Sequence, residues 1–180
     1  MTPKHKIFLI GFSGSGKTST GKLLARKLKI PFVDTDQIIE KTLGMATSDI
    51  FDRLGEPVFR RTERDLIAEL AGNDEGCVVS LGGGAFQSAA NRKIVSAVGT
   101  VIYLRCSVQI IYQRLKDNSD RPLLLTESRG LTLRQAMIDQ ITCMLSQRKR
   151  NYEKADMTIS TSQRTPAQVV SEIIGQMRKR

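Results

Sequence analysis

Gly11-Phe12-Ser13-Gly14-Ser15-Gly16-Lys17-Thr18 follows a short apolar run at residues 7–10 and opens a stretch of helical periodicity. The spacing Gly-x-x-x-x-Gly-Lys-Thr is that of a phosphate-binding loop, and its position between a strand and a helix is the context that such a loop needs. Glycines let successive backbone N–H groups turn toward phosphate oxygens. The first turn of the following helix adds partial positive charge. Gly14, Ser15, Gly16, Lys17, Thr18 and Ser19 are therefore the expected nucleotide-phosphate contacts. Lys17 would bridge the β- and γ-phosphates, and the Thr18 hydroxyl would ligate Mg²⁺. The alternative is a glycine-rich turn before an ordinary helix.

Outward from the loop, short apolar runs alternate with longer helical patterns. Strands are expected at 6–10, ending at 33, and at 77–81, 100–104 and 157–160. Helices are expected at 18–29, 36–43, 47–53 (capped by Thr47 or Ser48), 56–71, 88–98, 107–116 (capped by Ser107), 131–154 and after Thr165-Pro166. This alternation predicts an α/β fold with a parallel sheet covered on both faces. Residues 117–130 show no clear period, and a connection of that length reads as a lid.

The chain has 180 residues, which fits one domain over 1–180. Hydrophobic residues are 40% and charged residues 26%, an ordinary composition for a soluble protein. The net charge of +10 favours anionic partners, or is simply a basic surface. Nucleic acid is one candidate, but aromatics are 5% and Trp is absent, which disfavours a base-stacking platform. No targeting segment and no apolar stretch of membrane-spanning length is visible. Cys77, Cys106 and Cys143 are an odd set without a C-x-x-C pair, so neither a disulfide framework nor a zinc site is expected. All three are read as buried, reduced fillers, which points to the cytoplasm. His5, the single histidine, is read as exposed and inert.

Five further constellations bear on chemistry. Asp34-Thr35-Asp36 closes the second strand, where ligands bind in open α/β sheets. One carboxylate would hold Mg²⁺ through water and the other would orient or deprotonate an acceptor hydroxyl; a helix N-cap is the plainer alternative. The third strand ends without the usual metal-side carboxylate, with Ser80 nearest, so that role falls to Asp34. Arg60 and Glu63 lie three apart on one helix, either as a fork for a carboxylate or phosphate or as a surface ion pair. Gly82-Gly83-Gly84 after the third strand allows close backbone approach to a ligand. Arg121 in the lid segment would reach the transferring phosphoryl group, or is a solvated loop arginine. Arg148 and Tyr152 share a helical face, and Arg148 would meet Arg60 around an anion. No histidine or cysteine nucleophile is placed near the site, so direct in-line transfer is expected.

The ordered set 11–18, Asp34-Thr-Asp36, Gly55-Glu-x-x-Phe-Arg60, Gly82-Gly-Gly84, Arg121-Pro-Leu-Leu124 and Arg148-x-x-x-Tyr152-x-x-Ala155 resembles the shikimate kinase family, over about residues 6–176. The resemblance implies a three-layer P-loop kinase fold of the nucleoside-monophosphate-kinase type. Its five-stranded parallel sheet would have the order 2-3-1-4-5, its substrate-binding segment would lie at about 34–62 and its lid at about 117–130. It implies transfer of the γ-phosphoryl of ATP to the 3-hydroxyl of shikimate, with Mg²⁺, on the route to chorismate and aromatic amino acids. By motif, Asp36 would be the base, and Arg60, Arg148 and the amides of Gly82, Gly83 and Gly84 would bind the shikimate carboxylate. Arg121 would be the lid arginine, Arg114 would stack on adenine, and Arg164 belongs to the adenine-side loop. Expected partners are ATP and shikimate, with no nucleic acid or membrane, and the chain is read as a monomer. Arg105, after the fourth strand, departs from the pattern. A kinase for another small metabolite or a nucleoside monophosphate is the nearest rival. A nucleic-acid-binding P-loop module is the more distant one.

Overall fold

A computed structural model describes residues 6–116 and 132–179. The expected lid at 117–130, with Arg121, lies outside the described residues, as does His5. Strand β1 (Lys6–Ile10) is buried at all five positions. An all-buried strand is what a parallel sheet covered on both faces demands, and it explains the unbroken apolar run Ile-Phe-Leu-Ile. The other strands are β2 (Phe32–Asp34), β3 (Val78–Ser80), β4 (Gly99–Arg105) and β5 (Met157–Ser160). They form one five-stranded sheet in the order β2-β3-β1-β4-β5, parallel at every pairing. The fold class and strand order are those expected.

Alternation along β1 divides the core, because successive side chains point to opposite faces. Ile7 and Leu9 pack with Leu24, Val169 and Ile173, from helices α1 (Lys17–Leu28) and α8 (Pro166–Met177). Phe8 and Ile10 pack on the other face with Ile67, Val95 and Tyr152. These come from α4 (Glu56–Gly72), α5 (Ala89–Val98) and α7 (Leu133–Tyr152). The result is three layers. Helices α2 (Thr35–Leu43) and α3 (Thr47–Arg53) form a small unit with the start of α4. A separate cluster of Ile39, Ile50 and Phe59 holds that unit together. Helix α6 (Val108–Leu115) packs Ile111 and Leu115 beside Phe12 and Ile141.

Several local expectations are corrected. Ala46, not Thr47 or Ser48, stands at the N-cap of α3. The Thr47 N–H and hydroxyl both donate to Glu40 Oε1, at 2.9 and 2.7 Å, so Thr47 ties α3 to α2. Ser107 occupies the N-cap of α6 without a side-chain cap bond. Its own N–H donates instead to Ser162 Oγ at 2.9 Å. Cys77 and Cys106 are buried as expected, but Cys143 is exposed, because it lies on the outer face of α7. The expected cap and proline at Thr165-Pro166 are present as a full capping box.

Candidate active site

Strand β1 delivers the chain to the loop at the carboxyl end of the sheet, beside β3 and β4. Gly11, Gly14 and Gly16 there have φ of 146, 77 and 94°. These are values that a Cβ disfavours, and they fold the loop back over the start of α1. A Cβ on Gly11 would lie 2.7 Å from the Leu104 carbonyl oxygen, so this residue must also be small to pass β4. Helix α1 carries no acidic side chain in its first turn and no side-chain cap. Its N-terminal donors and dipole therefore face the loop without an internal anion. Lys17 is buried, and its Nζ donates to the carbonyls of Gly11 and Phe12 at 3.0 and 3.1 Å. The ammonium thus sits over the loop whose N–H groups would receive phosphate. Ser15 is buried, and its Oγ has no partner among the described residues.

Two of the expected nucleotide-side arginines line the same cleft as this loop. Arg114, from α6, donates to the Gly14 carbonyl at 2.8 Å. Arg164 pairs with Glu172 and also donates to the Ser160 carbonyl at 3.2 Å.

Asp34 ends β2 and occupies the N-cap position of α2, yet its side chain makes no cap bond. The Thr18 hydroxyl donates to Asp34 Oδ2 at 2.8 Å instead. A hydroxyl that donates to a carboxylate keeps its lone pairs for a cation. Asp34 thus holds the N-cap position of α2 while its carboxylate is turned to Thr18. Asp36 lies two residues on, in the first turn of α2. A Cβ on Gly82 would fall 2.5 Å from Asp36 Oδ1 and 2.8 Å from Glu63 Oε1. Both carboxylates therefore close on the same glycine, which is glycine because nothing larger fits beneath them.

Arg60 and Glu63 form more than a surface pair. Arg60 Nη1 meets Glu63 Oε2 at 3.0 Å and Arg60 Nε meets Glu56 Oε1 at 3.0 Å. Glu63 is 1% exposed, and its Oε1 has no partner among the described residues. Burial pushes the Glu63 carboxyl above its ordinary range, against the opposing charge and hydrogen bond of Arg60, and Asp36 adds to the rise. For Arg60, burial works to lower the pKa, and attraction to Glu63 and Glu56 outweighs it. The guanidinium stays charged and lies 5.3 Å from the Phe59 ring centroid. A Cβ on Gly84 would collide with it at 2.6 Å from Nη2. Arg148 approaches the neighbouring glycine from α7, donating to the Gly83 carbonyl at 3.2 Å. It also rests over the ring of Phe12, in the phosphate loop, at 5.3 Å. The two arginines expected to meet around an anion do converge on the Gly82-Gly83-Gly84 turn.

A cleft of about 700 Å³ joins the two halves. Lys17, Thr18, Arg114 and Arg164 line it together with Asp34, Asp36, Arg60, Arg148 and the three glycines. Ser19 lines it too, although its side chain is exposed. Arg121 falls outside the described residues. No group of three or more His, Cys, Asp or Glu side chains able to hold a metal occurs among the described residues. No helix among them is long and apolar enough to cross a membrane.

Sequence reasoning missed two supports, Thr35 and Phe12. Thr35 is fully buried; its hydroxyl accepts from Gly82 N at 2.9 Å and donates to the Ser80 carbonyl at 3.2 Å. Glu63 was legible only as Arg60's neighbour, and nothing in the spacing singled out Phe12. The one available signal for Thr35 was its place between two aspartates at a strand end.

The family model described as shikimate kinase matches residues 13–178. A shikimate kinase of Sulfurihydrogenibium sp. (strain YO3AOP1) is 39% identical over 97% of this chain and 98% of that protein. One from Persephonella marina is 40% identical over 97% of this chain and 99% of that protein. The solved shikimate kinase from Acinetobacter baumannii in complex with shikimate superposes with a TM-score of 0.90 at 31% identity. That match covers 99% of this chain and 95% of the other. A gluconokinase from Sinorhizobium meliloti, at 18% identity and a TM-score of 0.59, shares the fold alone. With the family model spanning nearly the whole chain and relatives this similar from end to end, the chain belongs to the shikimate kinase family.

Proposed function

We propose that this chain, acting as one kinase domain over 1–180, transfers the γ-phosphoryl of ATP to the 3-hydroxyl of shikimate. The observation that carries the reading is the single cleft: a phosphate loop at one end, and at the other two arginines and a carboxylate closing on a glycine turn. Shikimate is a small carboxylate with hydroxyl groups, and that second end matches its chemistry. Arg60 and Arg148 receive the carboxylate, assisted by the amides of Gly82, Gly83 and Gly84. Asp36 orients the 3-hydroxyl and takes its proton as the oxygen attacks the γ-phosphorus and ADP departs. Lys17 and Arg121 neutralise charge on the phosphoryl group in flight. The adenine side falls to Arg114 and Arg164, and the phosphates to the backbone of Gly14, Ser15, Gly16, Lys17, Thr18 and Ser19.

The residues present fit Mg²⁺. Thr18 and Asp34 offer hard oxygen donors 2.8 Å apart beside the phosphate loop. Mg²⁺ is held by few protein oxygens, phosphates and waters rather than by a protein cage. Thr18 would bind it directly and Asp34 through water. When bound, Mg²⁺ neutralises the β- and γ-phosphate charge.

The product enters the synthesis of chorismate and aromatic amino acids, in the cytoplasm, and the chain works as a monomer. A coupled ADP-release assay with Mg-ATP over shikimate, gluconate, nucleoside monophosphates and related hydroxy acids tests the substrate. Turnover is expected with shikimate; preferred turnover of another acceptor, with none on shikimate, sinks the reading. Sedimentation of the active protein tests the monomer.

A further inference from the structure

Helix α7 carries Arg148 and Tyr152 one turn apart, and both donate to the same acceptor. Tyr152 Oη reaches the Gly83 carbonyl at 2.6 Å, and Arg148 Nη1 reaches it at 3.2 Å. A carbonyl oxygen has two lone pairs, so this pair of donors fills its capacity. The Tyr152 ring is fully buried and stacks on Tyr103, with centroids 4.9 Å apart. Burial pushes its phenol up to about 12, against the opposing charge and hydrogen bond of Arg148. The hydroxyl therefore stays protonated and remains a donor across physiological pH.

Three consecutive glycines form a backbone with little conformational preference of its own, and ordering them costs entropy. Gly82 is fixed from β3's side, its N–H on Thr35 Oγ1 at 2.9 Å and its carbonyl accepting from Ala85 N at 3.0 Å. The Gly84 carbonyl accepts from Gln87 N at 2.9 Å. Gly83, between them, is held from α7. A trans peptide is planar, so fixing the Gly83 carbonyl toward α7 aims the Gly84 N–H the opposite way. The same bond fixes the acceptor on which Arg148 rests.

We propose that Tyr152 is a positioning residue for shikimate: its hydroxyl locks the Gly83 carbonyl, and through it the glycine turn and the Arg148 guanidinium that receive the substrate carboxylate. This rests on the assignment of those groups to the carboxylate. Tyr152 touches no substrate and acts on binding, not on phosphoryl transfer.

The test is steady-state kinetics of the full chain carrying Tyr152→Phe, which keeps the ring and removes one oxygen. Losing one buried hydrogen bond is expected to raise the shikimate KM about fivefold. The ATP KM and kcat are expected to stay at their wild-type values. Tyr103→Phe, which leaves the bond to Gly83 in place, is expected to change neither KM. In an Arg148→Ala background Tyr152→Phe is expected to raise the shikimate KM by less than in the wild type, because the part of its effect that runs through Arg148 is already lost. Thermal melting of each variant separates lost stability from lost binding. An unchanged shikimate KM in Tyr152→Phe, where Arg148→Ala raises it, overturns the proposal and leaves the site assignment standing. An equal rise in both KM values overturns it as well, since that marks a general loosening. An unchanged shikimate KM in Arg148→Ala removes the carboxylate assignment, and the proposal falls with it.

Discussion

The two ends of the cleft are built by different means. The nucleotide end is mostly backbone: one continuous loop, three glycines at positive φ, and the N-terminus of α1. The acceptor end is mostly side chain, gathered from α2, α4 and α7 around the turn after β3. A backbone cradle is specified by residues adjacent in the chain. A side-chain clamp is specified by the buried contacts that hold distant elements in place. The first should therefore be sensitive at its lysine and glycines and tolerant elsewhere. The second should be sensitive at residues that never touch the substrate.

The largest expected effect lies at the buried lysine of the backbone end. Lys17→Met removes the buried ammonium that sits over the loop carbonyls. We expect kcat to fall about 10³-fold, the order lost when a preorganised charge on a transferring phosphoryl group is removed. A near-normal rate in the ADP-release assay would take Lys17 out of the mechanism. Next is Asp36→Asn, which keeps the shape and loses the base. The expected fall in kcat is about 10²-fold, with the ATP affinity measured by titration unchanged. If ATP affinity falls in parallel, the two ends are not separable in the way their construction suggests.

Gly82→Ala probes the acceptor end without replacing a catalytic side chain. The new Cβ would lie within 2.8 Å of both Asp36 Oδ1 and Glu63 Oε1. Asp36 is half-buried, whereas Glu63 is packed in the interior, so the carboxylate that should orient the hydroxyl is the one expected to be displaced. A misplacement of this size is expected to lower kcat/KM for shikimate by about 10- to 100-fold, with ATP binding intact. Gly72→Ala, with nothing within 4 Å of its Cβ, is the matched control and should leave both substrates unaffected.

The same contrast explains what was legible in the sequence. The loop at 11–18 could be read directly, since a strand, three glycines, a lysine and a helix in that order have one physical use. The sheet order became readable through the family resemblance, and the alternation of β1 then accounts for both faces of the core. At the acceptor end the residue types were visible, but spacing alone left Arg60 and Glu63 as a possible surface pair. Only packing shows that Glu63 is interior while Glu56 is at the surface. Likewise Thr47 looked like a cap and proved to be a tie between helices. A hydroxyl's partner is chosen by what the fold brings near, and Glu40 was seven residues away. Asp34 does stand at the N-cap of α2, but its carboxylate is taken by Thr18 and not by the helix.

The smallest expected effect is a pH slope, and it tests whether the acceptor end is strained by its own burial. Glu63 has its carboxyl raised above 4.5, chiefly by burial, which outweighs the attraction of Arg60. The folded state therefore holds the Glu63 proton more tightly than the unfolded chain does. Its contribution to stability is fully present below the unfolded value and is lost as pH rises through the raised folded value. Glu63→Gln has no proton to lose there and keeps a hydrogen-bond acceptor for Arg60. The Tm of the variant minus that of the wild type is thus expected to grow more positive as pH rises from about 4.5 toward neutrality. A difference that grows more negative over that window would mean that Arg60 stabilises the ionised carboxylate more than burial penalises it. The shikimate KM of the variant, measured at neutral pH, completes the test. If the charge of Glu63 is what holds the Arg60 fork in place, that KM rises while the ATP KM stays constant. The acceptor end would then tolerate a destabilising buried charge in return for a fixed guanidinium, whereas the buried Lys17 ammonium at the other end rests on the backbone carbonyls of its own loop.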